Sequence, residues 1–183
     1  MSVTPQQVAQ VYREADCLHD KAAVEAAITQ MGVEITARLH DSNPLVLCVL
    51  TGGIIPMGQL LTHLDFPLQT DYLHATRYRG ETCGGELHWL ARPRSAVAGR
   101  TVLVVDDILD EGVTLKAILE ELRSEGATAV YSAVLVEKLH DRKNGMQADF
   151  VGLTVPDRYV FGYGMDYKDY LRNAPGIFAV NGM

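Results

Sequence analysis

The sequence predicts an α/β fold, a mainly parallel sheet flanked by helices. Two observations carry that expectation. The continuously apolar run 45–50 and the largely apolar runs 101–105, 128–136 and 150–155 have the composition of buried strands. Between them lie stretches with helical spacing, and strands that alternate with helices build a parallel sheet. The length agrees, since 183 residues suit one domain and bury a sizeable core without disulfides or structural metal.

Each element has a local reason. Thr4-Pro5 reads as a helix N-cap followed by proline at the first helical position. Asp20 reads as the cap of a second helix, in which Val24, Ala27, Ile28, Met31 and Ile35 recur at helical spacing. The run Leu45-Val46-Leu47-Cys48-Val49-Leu50 is the first buried strand, and a helical pattern spans 54–63 after Thr51-Gly52-Gly53. Those glycines and Pro56 break the apolar stretch too early for a membrane span. Gln69–Arg77 reads as a strand, and the polar, glycine-rich 79–86 as a mobile loop. The run 101–105 is a second buried strand ending on Asp106-Asp107, and the helix Val113–Ser124 after it closes at Gly126. The runs 128–136 and 150–155 complete the sheet, and no internal repeat or low-complexity tract is present.

Composition narrows the function. Hydrophobic residues at 48% and charged residues at 21% are ordinary for a soluble protein. A net charge of −7 argues against a general nucleic-acid or anionic-membrane surface, so any phosphate is held by local features. Cys17, Cys48 and Cys83 are odd in number and widely spaced, as free thiols in a reducing cytosol are. The N-terminus lacks the basic start and apolar core of a signal peptide, and a cytoplasmic location is expected. The histidines at 19, 40, 63, 74, 88 and 140 show no metal-binding spacing, and none is assigned a catalytic role.

In parallel sheets ligands bind beyond the carboxyl ends of strands. The most informative such segment is Asp106-Asp107-Ile108-Leu109-Asp110-Glu111-Gly112-Val113-Thr114, between a buried strand and a helix start. A helix N-terminus offers unpaired N–H groups to a phosphate. Gly112 admits close approach of the anion, and the Thr114 hydroxyl adds a donor. Asp106 and Asp107 suit ribose hydroxyls and a bound Mg²⁺. A solvated strand-to-helix turn with Asp110 as its cap is the alternative. The ordered combination resembles the motif by which type I phosphoribosyltransferases bind 5-phosphoribosyl pyrophosphate (PRPP).

Further along, Val134-Leu135-Val136-Glu137-Lys138, Asp149-Phe150-Val151-Gly152-Leu153 and the stretch from Pro156-Asp157-Arg158-Tyr159-Val160 to Asp166-Tyr167 resemble hypoxanthine-guanine phosphoribosyltransferases in order and spacing. The resemblance runs from about residue 45 to 172. It implies a core over about 40–155, a small hood from the N-terminal segment and about 156–183, and a flexible loop. It also implies transfer of the phosphoribosyl group from PRPP to hypoxanthine or guanine, with Mg²⁺, in a homodimer or homotetramer; from its charge, the chain is expected to contact neither nucleic acid nor membrane.

By the same resemblance, Lys138 reaches the purine 6-oxygen and N7. As a donor without an acceptor, an ammonium accepts a 6-oxo group and disfavours a 6-amino group. Tyr159 stacks on the purine, and Val160 meets the base edge through its carbonyl. Asp166, on the purine side, serves a second Mg²⁺, and Arg172 reaches the pyrophosphate. Without the resemblance, Lys138 reads equally as a surface lysine and Tyr159 as a core aromatic. The N–H groups of Thr51, Gly52 and Gly53 would face the pyrophosphate, beyond a cis peptide joining Leu50 and Thr51. The stretch from Arg77 and Tyr78 to Trp89 would close over the reaction, although relatives carry serine where this chain has Arg77. Many relatives also have glutamate where it has Asp106. Asp110 is the expected general base for purine N7, its proton affinity lowered by the helix N-terminus. Two alternatives remain: a xanthine-preferring enzyme, and a PRPP-binding regulator acting on nucleic acid, against which the negative charge argues.

Overall fold

The two N-terminal helices begin where polar side chains can close their first turns. A computed structural model describes residues 3–77, 87–143 and 145–182. In it, helix α1 (Pro5–Glu14) starts in a reciprocal capping box: Thr4 Oγ1 accepts from the Gln7 N–H, and Gln7 Oε1 accepts from the Thr4 N–H at 2.8 Å. A short strand β1 (Asp16–Asp20) leads into α2 (Lys21–Leu39), whose N-cap Asp20 accepts from the Ala23 N–H at 2.9 Å.

The remaining elements alternate as expected. Strand β2 (Leu45–Val49) precedes α3 (Ile54–Leu60), which tightens into a 3₁₀ turn over Leu61–His63. Then follow β3 (Gln69–Arg77), β4 (Leu87–Ala91), β5 (Thr101–Leu109), α4 (Val113–Ser124), β6 (Ala129–Leu139) and β7 (Phe150–Pro156). They form one six-stranded sheet in the order β4-β3-β2-β5-β6-β7, parallel except for β4. One face carries Val46, Cys48, Leu103 and Val105 against Ile28, Met31 and Ile35 of α2 and Met57 and Leu60 of α3. The other carries Leu45, Leu47, Val102 and Val104 against Leu115, Ile118, Leu119 and Leu122 of α4. Burial on both faces explains the unbroken apolar runs. Each fully buried leucine or isoleucine contributes about 1.5–3 kcal/mol.

Two strands outrun their apolar segments. β5 continues through Asp106 and Asp107 to Leu109, and β6 continues through Lys138 to Leu139. The backbone ladder holds them, pairing Asp106 with Val134, Leu109 with Glu137 and Lys138 with Val155. Asp106, Asp107 and Lys138 therefore sit within strands, not just after them. β4 was not expected either. Its residues Leu87 to Trp89 fell inside the expected closing loop, but they pair with Arg77 to Ala75 of β3. Trp89 Nε1 donates to Glu121 Oε2 of α4 at 2.9 Å, and the Arg92 guanidinium lies 4.6 Å above the indole ring. Tyr78 lies outside the described residues, and of Arg77 only the backbone, at the end of β3, is described.

A second sheet of three strands, the hood, has β8 (Val160–Phe161) and β9 (Gly176–Ala179) in the order β1-β9-β8. Its core is aromatic. Tyr12 of α1 meets Phe178 edge-on at 5.1 Å, and Phe178 stacks on Phe161 at 5.6 Å. The Asp16–Arg158 ion pair at 2.7 Å and the His19 Nε2 contact with the Thr154 carbonyl at 2.9 Å tie the hood to β7 and the segment after it. Among the described residues, no helix is long and apolar enough to cross a membrane.

Candidate active site

The carboxyl ends of β5 and β6 face the hood across a cleft of about 240 Å³. Asp107, Ile108 and Asp110 line it from the β5 side, and Lys138 from β6. Tyr159, Val160, Met165 and Asp166 line it from the hood. The structure thus gathers in one place the residues expected for the purine, Lys138, Tyr159, Val160 and Asp166, with the expected base Asp110. Asp106 is not among the lining residues.

Asp106 and Asp107 are held by the backbone. Asp106 Oδ1 accepts from the Asp107 N–H at 2.9 Å, and Asp107 Oδ1 accepts from the Ile108 N–H at 2.7 Å. Burial pushes the proton affinity of both carboxyls up, and at Asp106 the neighbouring Asp107 charge adds to it. Gly52 packs directly on Asp107. A Cβ there would lie 2.0 Å from Asp107 Oδ2, so any larger residue would force the Asp107 carboxylate to move.

Asp110 lies just beyond β5, and each oxygen of its carboxylate accepts a hydrogen bond. Lys138 Nζ donates to Oδ2 at 2.7 Å, and His140 Nε2 bonds Oδ1 at 2.6 Å. Burial raises its proton affinity, but the hydrogen bonds from Lys138 and His140 outweigh that and hold it below the ordinary carboxylate range. The direction agrees with the sequence reading; the cause does not. Asp110 does not cap α4, whose N-cap is Gly112 in the left-handed region at φ +79°. Two side-chain donors, not the helix N-terminus, account for the shift.

Among the described residues, no side chain caps α4, so its first-turn N–H groups, those of Val113 and Thr114 included, stand as donors beside Glu111 and Gly112. Ile108 and Leu109 belong to β5, and Leu109 is buried in the core. Across the cleft, the Leu50–Thr51 peptide is cis. The Gly53 N–H donates to the Val49 carbonyl at 2.9 Å, which corrects the expectation that it faces an anion. Among the described residues, the N–H groups of Thr51 and Gly52 have no such backbone partner.

On the hood side, Tyr159 is 41% exposed and meets Tyr167 edge-on at 5.6 Å. Its ring is part of the cleft wall and not of the apolar core. Arg172 donates to the Gly164 carbonyl at 2.6 Å, pairs with Asp166 at 2.8 Å and lies 3.9 Å from Asp107. One guanidinium therefore joins the carboxylates of β5 and of the hood. Asp166 Oδ2 also accepts from the Asp169 N–H at 2.8 Å. Mg²⁺ commonly takes one or two carboxylates and completes its shell with substrate phosphates and water. Asp107 and Asp166 fit such partial ligation. Among the described residues, no three acidic, histidine or cysteine groups converge into a complete cage.

Sequence reasoning missed two residues here. Met165 is a buried apolar wall of the cleft, and nothing distinguishes it in the sequence. His140 carried a usable signal. It follows Lys138 by two positions at the end of a strand, where alternate side chains share a face.

The comparisons with known proteins agree with this geometry. The phosphoribosyl transferase domain family matches residues 14–169. The hypoxanthine-guanine phosphoribosyltransferase of Bacillus subtilis is 35% identical over 155 residues, 84% of this chain and 86% of its own. The hypoxanthine-guanine-xanthine phosphoribosyltransferase of Tritrichomonas foetus is 33% identical over 161 residues, 87% and 88% of the two chains. A hypoxanthine phosphoribosyltransferase structure from Staphylococcus aureus superposes with a TM-score of 0.87 at 27% identity, covering 92% of this chain and 93% of that one. A likeness of that extent, running through the strands and the cleft alike, means that the chain belongs to the phosphoribosyltransferase family, with the enzymes of hypoxanthine-guanine type.

Proposed function

We propose that the protein salvages purines, moving the 5-phosphoribosyl group of PRPP to hypoxanthine or guanine to give IMP or GMP and pyrophosphate. The observation that carries this reading is Lys138 and Asp110 hydrogen-bonded together in a cleft walled by Tyr159 and Val160. A cation with donors only and a carboxylate acceptor, set side by side, match the 6-oxygen and the N7 hydrogen of a 6-oxopurine.

In the proposed reaction the purine lies against Tyr159, with Lys138 on its 6-oxygen and the Val160 carbonyl at its edge. Purine N9 attacks C1′ of the ribose while the bond from C1′ to the pyrophosphate oxygen breaks. The N7 proton passes to Asp110, whose lowered proton affinity keeps it ionised at neutral pH. The first-turn N–H groups of α4, with Glu111, Gly112 and Thr114, hold the 5′-phosphate. Thr51, Gly52 and Arg172 address the pyrophosphate, and Asp106 and Asp107 the ribose. Asp107 and Asp166 would hold Mg²⁺, which when bound would supply positive charge against the departing pyrophosphate. Closure of the segment between β3 and β4, with Arg77 and Tyr78, would exclude water. Xanthine is a further candidate substrate, because the T. foetus relative is named for it.

We extend the proposal to a cytoplasmic homodimer or homotetramer. The exposed Tyr72 of β3 and Leu90 of β4 offer apolar surface for self-association. The deciding experiment is turnover of hypoxanthine, guanine, xanthine and adenine with PRPP, with and without Mg²⁺. Turnover of the 6-oxopurines alone, lost in excess chelator, is expected. Preferred use of adenine would overturn the reading, and full activity in chelator would remove the metal from it.

A further inference from the structure

We infer that His140 is a positioning residue of the reaction, holding the Asp110 carboxylate in place when Lys138 leaves it for the purine. The inference rests on the proposed role of Asp110 as proton acceptor. Both oxygens of Asp110 are occupied, Oδ2 by Lys138 Nζ at 2.7 Å and Oδ1 by His140 Nε2 at 2.6 Å. The Lys138 charge beside Oδ2 disfavours proton uptake there, so the departure of that cation favours it. The two partners differ in what they can do next. Lys138 lines the cleft and sits on a flexible stem, whereas the His140 side chain is 3% exposed and lines no part of it. Lys138 is the partner that can turn to a bound base, which frees Oδ2 toward the purine. His140 stays.

The backbone fixes what His140 offers. The Arg142 N–H donates to His140 Nδ1 at 3.1 Å, so Nδ1 is the accepting nitrogen and Nε2 carries the hydrogen given to Asp110. Arg142 is itself anchored, its guanidinium forming two bonds to Asp157 at 2.6 and 2.8 Å and lying 3.9 Å from Glu111. The charged and titratable groups around Asp110 are thus Lys138, His140, Arg142, Glu111 and Asp157. One ring connects the segment after β6, the loop before α4 and the entry to the hood. A base supported this way keeps its orientation without Lys138, and orientation to within a fraction of an ångström is what a proton transfer demands.

The test compares His140→Leu, which fills the space without a donor, with His140→Gln, whose amide can reach Asp110. Thermal melting establishes that both are folded, and Asp110→Asn serves as the reference. His140→Leu should lower the single-turnover rate by about ten- to hundredfold, the range typical of groups that orient a reacting ligand. The KM for PRPP should change less than about twofold, since the donors that hold its phosphates are on other segments. His140→Gln should recover most of the rate. On the intact protein, imidazole ¹⁵N shifts should show hydrogen on Nε2 and none on Nδ1, before and after IMP is added. If Asp110→Asn loses activity while His140→Leu keeps the wild-type rate, or if Nδ1 carries the hydrogen, the inference about His140 fails and the base assignment stands. If Asp110→Asn itself keeps wild-type chemistry, the base assignment fails first and takes this one with it.

Discussion

Asp107 and Asp110 stand three residues apart at the end of one strand and are pushed in opposite directions. Asp107 is packed against Gly52, and burial raises its proton affinity. Asp110 is nearer solvent, and Lys138 and His140 bring its proton affinity below the ordinary carboxylate range. The side chain is the same; only the surroundings differ. A raised proton affinity at carboxylates that would ligate a cation couples that binding to pH, because a ligand carboxylate must be deprotonated. A carboxylate that stays ionised is free to take a proton from a substrate. In the proposed mechanism, that contrast divides ligation from base catalysis within a few residues of chain.

The strongest way to break this division is to neutralise Asp110 alone. Asp110→Asn keeps the size and accepts a hydrogen bond but takes up no proton at neutral pH. Loss of a positioned base costs about 10²–10⁴-fold in rate. Nucleotide affinity should change much less, because the N–H groups at the start of α4 remain. Thr114→Val should show the reverse bias, weakening PRPP and nucleotide more than the chemical step. Single-turnover rates beside product affinities measure both. Wild-type chemistry in Asp110→Asn would leave that residue a structural partner of Lys138 and His140.

A smaller effect sharpens the contrast from the side of the cation. Lys138→Met removes one of the two donors that depress the Asp110 proton affinity, so that affinity should rise. A base must be ionised to act, and raising its pKa moves the loss of activity on the acid side to higher pH. The acid limb of kcat/KM should therefore shift upward. Discrimination of 6-oxopurines against adenine should fall about tenfold or more, the scale of one lost polar contact at about 1.4 kcal/mol. An unchanged limb with lost PRPP affinity would put Lys138 in the phosphate subsite instead.

How much of this was legible in the sequence follows the same physics. The parallel sheet was, because two-sided burial leaves unbroken apolar runs such as Leu45 to Val49. So were the caps Thr4 and Asp20, which act within one helical turn. The ends of β5 and β6 were not, since their last residues are polar and only pairing with a neighbouring strand keeps them extended. β1, β8 and β9 were missed for a related reason, being short strands that exist by joining distant segments. In the site, the order Asp106-Asp107 to Thr114 pointed to the cleft. The partners of Asp110 did not show, because its contacts with Lys138 and His140 span 28 and 30 residues of sequence. A helix start three residues away was the nearer explanation for its acidity, but the donors that lower it are Lys138 and His140.

The smallest expected effect tests the other half of the comparison, through stability. Burial first, and the Asp107 charge second, hold the Asp106 proton affinity well above its ordinary value. An unfolded aspartate titrates near pH ~3.9. Between that pH and the raised folded value, the native state carries more protons than the unfolded state. Stability therefore falls as pH rises through the window and stays lower above it. The two carboxyls titrate as a pair, so the window belongs to both. Asp106→Asn removes one ionisation while its amide oxygen can still accept from the Asp107 N–H. Without Mg²⁺ or PRPP, the variant should melt above wild type at neutral pH, and the two should converge toward pH 4. A gain of about 1 kcal/mol corresponds to roughly 2–4 °C in a chain of this size. The same substitution should weaken PRPP binding, so stability and function move oppositely at this position. Calorimetric melts of both proteins from pH 4 to 8 measure the effect. A difference in Tm that stays constant with pH would mean that burial of the Asp106 charge is not what costs the fold its stability.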